Sequence, residues 1–217
     1  MKGASMDAFK TIAHASEEEF VINRSRFIGR CFPVQTEEEA LAHLAALRKQ
    51  HYDATHNCYA YRIGTRGETA RFSDDGEPSG TAGMPMMEVL TANDVTNVLC
   101  VVTRYFGGIL LGAGGLVRAY SRGAAEAVRA AGVVHYTPGT ALEFTVDYAR
   151  YGAVEAFVRA NAEIDALDFA EAVHLRVLVE NAEADAFTAE IVERTDGRSV
   201  PARCGEGYLI RPETPKS

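Results

Sequence analysis

The chain has 217 residues, 47% of them hydrophobic and 24% charged, a composition that argues against a disordered, collagenous or coiled-coil protein. Its formal net charge of −8 is unevenly spread: residues 1–135 hold 14 Lys+Arg against 15 Asp+Glu, and residues 136–217 hold 8 against 15. An acidic chain gains no general steering toward a polyanion, so any nucleic-acid contact has to rest on a local basic patch in the first part. The N-terminus lacks a signal-type apolar core, and no window reaches the roughly 18 apolar residues of a membrane span. A cytoplasmic, reduced protein is expected, with no membrane partner.

In chain order, Phe20–Ile22 and Phe27–Val34 read as an antiparallel strand pair joined near Asn23–Ser25. Residues 36–50 read as a helix, with Thr36 as N-cap, Glu39 completing a capping box, and Leu41, Leu44, Ala45 and Leu47 on its core face. A strand over 58–64 follows. Residues 71–85, RFSDDGEPSGTAGMP, read as a polar loop, with a helix running on to Leu90. Residues 97–106, NVLCVVTRYF, are almost continuously apolar, as a buried central strand requires. A glycine-rich loop then leads into a helix over about 115–131.

Pro138-Gly139 suggests a turn, and the charge balance changes there, so we expect domains at 1–136 and 137–217. The second domain alternates strand 141–147, helix 149–160, strands 162–169 (with an irregularity) and 173–180, helix 184–195, and a weak strand between Ser199 and Ile210. That β-α-β-β-α-β order is ferredoxin-like. The fold class expected for the whole chain is α+β in two domains.

Residues 103–132 hold the least ordinary pattern. Gly107, Gly108, Gly112, Gly114 and Gly115 lead into a helix start, where unpaired N–H groups and the positive dipole end suit an anion. Arg118, placed in the first turn, is disfavoured by that dipole, and Arg122 adds like-charge repulsion one turn on. Arg104 precedes the loop. Such arginines call for an anion or a carboxylate nearby. One reading is tight packing, with the arginines paired to Asp74, Asp75 or Glu77. The other is anion or RNA-backbone contact by Arg104, Arg118 and Arg122, with Tyr105 available for base stacking.

The Walker and dinucleotide-binding patterns both fail here. Asp74, Asp75, Glu77 and Ser79 form a candidate ligand-facing loop, although they are turn residues first and lack EF-hand spacing. His56 and Cys58 share a strand face, but a cysteine on a strand is ordinarily buried and unreactive. Cys31, Cys58, Cys100 and Cys204 form no C-x-x-C pair. No catalytic residue, metal site or cofactor is expected.

The segments SRFIG (25–29), HNCYAYR (56–62), DDGEPSGTAGMP (74–85) and RYFGGILLGAGGLVRAY (104–120) resemble the signature segments of the bacterial YigZ branch of the IMPACT family, across essentially the whole chain. The resemblance implies an N-terminal domain like domain two of small-subunit ribosomal protein five. It also implies a C-terminal ferredoxin-like domain similar to domain V of elongation factor G. Nucleic-acid or ribosome binding and translation regulation are what it implies for function, and it names no catalytic residue. Two other functions compete with an RNA or ribosome partner. One is an enzyme acting on a phosphorylated small molecule through the glycine loop and the acidic loop 74–77. The other is a protein-interaction module using the acidic C-terminal sheet.

Overall fold

The structure, a computed structural model, describes residues 6–213. Phe9–His135 form the body of one compact unit and Tyr136–Arg211 that of a second.

The larger unit contains β1 (Phe9–Ile12), β2 (Ser16–Ile22), β3 (Ser25–Pro33), α1 (Glu37–Gln50), β4 (His56–Ile63), β5 (Thr69–Ser73), α2 (Gly83–Ala92), β6 (Val98–Tyr105) and α3 (Ala113–Ala131). Five strands make an antiparallel sheet in the order β2-β3-β6-β4-β5. The central strand β6 is apolar from Val98 to Val102 because both its faces are covered. Val98, Cys100 and Val102 pack in the core with α2 and α3, while Leu99 and Val101 pack with α1. β2 and β3 are joined by Asn23 and Arg24, both at positive φ (46° and 64°), the backbone that tight hairpin turns demand.

Several local expectations change. The loop expected over 71–85 is shorter, because 71–73 belong to β5 and 83–85 to α2. On α1 the buried stripe is Ala40, Leu44 and Leu47, so Leu41 (46% exposed) and Ala45 face solvent. One helix alone covers that sheet face, and a single i, i+4, i+7 stripe suffices. Thr36 does accept the Glu39 N–H at 3.2 Å, but the Glu39 carboxylate takes the Gln35 N–H at 2.7 Å, so the capping box closes one residue early.

The smaller unit is built from β7 (Val133–Val146), α4 (Tyr148–Asn161), β8 (Glu163–Phe169), β9 (Val173–Glu180), α5 (Ala184–Arg194) and β10 (Ala202–Pro212). Its strand order, β10-β7-β9-β8, is the ferredoxin-like one, and β8 carries its irregularity between Ile164 and Ala166.

No turn forms at Pro138-Gly139, because β7 passes straight through both residues. The glycine serves close packing instead. A Cβ at Gly139 would lie 2.7 Å from Leu209 Cδ1 and 2.9 Å from the Val179 carbonyl oxygen. The Pro138 carbonyl accepts the Asn181 N–H at 3.1 Å.

Candidate functional site

Arg104 occupies the end of β6, on the face that Val98, Cys100 and Val102 present to α2 and α3. Antiparallel register sets Phe27 of β3 on one side of it and His56 of β4 on the other. The core face thus ends in a cation only 4% exposed. A buried cation needs a partner, and Glu77 from the acidic loop supplies it. Arg104 Nη1 donates to Glu77 Oε1 at 2.6 Å, and the Tyr120 hydroxyl of α3 donates to the same oxygen at 2.7 Å. The guanidinium lies 5.4 Å from the ring centroids of both Phe27 and Phe106. Burial pushes the Tyr120 phenol far above its ordinary range and the Cys58 thiol up to about 12, so both stay protonated.

The acidic loop divides its labour. Asp74 caps α2 from a distance: its carboxylate accepts the N–H groups of Gly80, Ala82 and Gly83 at 2.8–3.0 Å. Burial pulls its carboxyl upward, but these three donors together hold it below the ordinary aspartate value. Asp75 pairs with Arg48 at 2.7 Å and accepts the Asn57 N–H at 2.7 Å. Glu77 alone of the four loop candidates joins the site; Ser79 is exposed and lies outside the cavity wall.

His56 completes the arrangement. Its Nδ1 lies 2.9 Å from the Asp75 carbonyl oxygen. A carbonyl only accepts, so Nδ1 carries the proton. Nε2 faces Glu77 Oε2 at 3.7 Å, beyond hydrogen-bond length.

These groups floor a cavity of about 380 Å³, within the size range of small-molecule sites. Phe106, Leu110, Leu111 and Leu116 give it an apolar wall, and Gly112 and Ala113 bring in the first residues of α3. Gly112, at φ 69°, turns the chain into that helix, and neither a side-chain cap nor a first-turn acid covers its N-terminus.

Other residues of the glycine-arginine segment do different work. Gly107 packs against the β2–β3 turn, where a Cβ would fall 2.1 Å from the Arg24 carbonyl carbon, and its N–H donates to Ser25 Oγ at 3.2 Å. Gly108 stands in open space, while Gly114 and Gly115 lie inside α3. Since α3 begins at Ala113, Arg118 falls in the second turn rather than the first, where the dipole penalty is weaker. It is exposed and has no acidic partner among the described residues. Arg122 is held, with Nε donating to Glu126 at 2.9 Å and its guanidinium 4.2 Å over the Phe20 ring.

Burial and the Glu77 pair therefore keep Arg104 out of reach of an RNA backbone. Tyr105, on the opposite face of β6, is removed from stacking. Its hydroxyl bonds His51 Nδ1 at 2.8 Å and Asp53 at 3.3 Å, and Arg26 lies over its ring. His51 Nε2 accepts from Arg30 Nη2 at 2.9 Å, and burial followed by the Arg30 charge lowers its pKa, which keeps the ring neutral.

Sequence reasoning singled out His56 only beside Cys58 and Phe106 only as an aromatic that could stack, and joined neither to Arg104 and Glu77. The cross-strand partner that places His56 beside Arg104 has no local signature. Phe106 is 45% exposed beside the cavity. Among the described residues, no group of three His, Cys, Asp or Glu side chains is placed to hold a metal ion, and no helix is long and apolar enough to cross a membrane.

Fold and site together define a class of α+β protein: a ferredoxin-like unit joined to an antiparallel five-stranded unit, with a buried Glu-Arg pair under a glycine-rich helix start. Residues 23–128 match the Impact N-terminal domain, and residues 144–198 match a domain of unknown function, DUF1949. The chain is 41% identical to IMPACT family member YvyE of Bacillus subtilis over 195 residues, 89% of this chain and 90% of that one. It is 37% identical to IMPACT family member YigZ of Escherichia coli over 179 residues, 81% and 88% of the two chains. The chain belongs to the IMPACT family. A crystal structure described as that of a hypothetical protein matches with a TM-score of 0.59 at 33% identity, covering 93% of this chain and 99% of the other.

Proposed function

We propose that this IMPACT-family protein binds RNA phosphates in association with the ribosome, and acts in translation, through Arg24 and Arg118 rather than Arg104 and Arg122. One observation carries the reading. Arg24, in the turn packed on Gly107, and Arg118, whose Nη1 folds back to 3.6 Å from a Cβ built at Gly114, are exposed at the two ends of the glycine loop, with no acidic partner among the described residues. Unpaired exposed guanidinium groups serve phosphate oxygens well. Ribosome or RNA binding is also what the family resemblance implies.

Co-sedimentation with ribosomes at low salt tests it. The Arg24→Ala/Arg118→Ala double variant is expected to leave the pellet, and Arg122→Ala to behave as the native chain. A folded double variant that pellets like the native protein would overturn the proposal.

A further inference from the structure

We infer that the cavity beneath the glycine loop is a separate binding site for a small molecule with an anionic phosphate or carboxylate head and an apolar body. Four features converge on it. The N-terminus of α3, reached through Gly112 and Ala113, carries N–H groups that no side chain caps. Arg104, 4% exposed and part of the same wall, has its Nη atoms engaged by Glu77 and Ser25 while its buried Nε–H has no acceptor. His56, its Nδ1–H committed to the Asp75 carbonyl, leaves Nε2 as an acceptor for the O–H of a singly protonated phosphate head. Leu110, 84% exposed, joins Phe106, Leu111 and Leu116 in an apolar wall, which a solvated loop has no reason to display. Glu77 does not repel an anion here, because Arg104 offsets its charge and its side chain is 3% exposed. The anionic head sits at the start of α3 and the body lies along the leucines. This site does not depend on the RNA reading, since Arg24 and Arg118 are not among its wall residues.

The test uses the full chain and phenyl phosphate as probe, reading the backbone amide resonances of Ala113, Gly114 and Gly115. Saturable shifts are expected, with a midpoint about tenfold lower than for inorganic phosphate, equivalent to about 1.4 kcal/mol from the ring. Ala113→Glu puts a carboxylate at the helix start without a packing change, since Ala113 is exposed, and is expected to abolish the shifts. Leu110→Ser is expected to weaken phenyl phosphate while leaving inorganic phosphate unaffected. Arg24→Ala is expected to bind phenyl phosphate as the native chain does. Absent shifts, equal midpoints for the two probes, or an Ala113→Glu variant that still binds would each overturn the inference. An end-phosphorylated RNA that displaces phenyl phosphate from these amides would assign the site to an RNA terminus and overturn the small-molecule ligand.

Discussion

Glu77 takes on two jobs with one oxygen, accepting from Arg104 and from Tyr120 in a place where its side chain is 3% exposed. The two contacts differ in kind. Removing the carboxylate strands a buried guanidinium, at a cost of about 3–5 kcal/mol, whereas removing the Tyr120 hydroxyl deletes one hydrogen bond worth about 1 kcal/mol. Equilibrium urea denaturation should therefore rank Glu77→Ala far below Tyr120→Phe. Comparable losses for the two would mean that the Arg104 charge is solvated in some other way and that Glu77 is not its counter-ion. The pairing was open to sequence reasoning only as a choice of three acids for three arginines. Loop path, rather than residue type, selects Glu77 for Arg104, sends Asp75 to Arg48 and turns Asp74 onto the N–H groups at the start of α2.

Among the elements, the contact between β3 and α3 is set by two glycines facing each other. A Cβ at Gly29 would meet the Gly123 carbonyl oxygen at 2.3 Å, a backbone atom that cannot swing aside. A Cβ at Gly123 would meet the Val102 methyl groups at 3.1 and 3.3 Å, and a side chain can give by that much. Overpacking costs about 1–3 kcal/mol, and alanine in a helix interior recovers up to about 1 kcal/mol against glycine. Gly29→Ala is thus expected to destabilise clearly and Gly123→Ala only slightly, both read from denaturation midpoints. The reverse order would place the tight contact elsewhere.

The same element scale explains what was legible. β6 and β9 announce themselves because burial on two faces or one imposes a continuous or alternating apolar pattern. β5 and the glutamate-rich start of β2 stayed hidden because edge strands keep polar side chains in solvent. β1 has four residues, too few for a period to emerge. The glycine loop and the acidic loop both stood out. Their meeting at His56 did not, because strand register brings it about.

At the scale of the whole molecule, charge limits how the proposed RNA contact could be made. The chain carries −8 overall, with −1 in residues 1–135 and −7 beyond, so long-range attraction contributes little and binding depends on the few cations left unpaired. Counter-ion release gives a slope in log K against log salt of about −0.7 per phosphate contacted on single strands and −0.9 on duplex. Two arginines then predict a slope of about −1.4 to −1.8, shallow compared with proteins that grip a backbone through many lysines. Ribosome pelleting across a salt series measures it directly. The Arg24→Ala/Arg118→Ala variant should flatten the residual slope toward zero, and each single variant should halve it. A native slope steeper than about −4 would require more cations than these two and would move the interface away from the glycine loop.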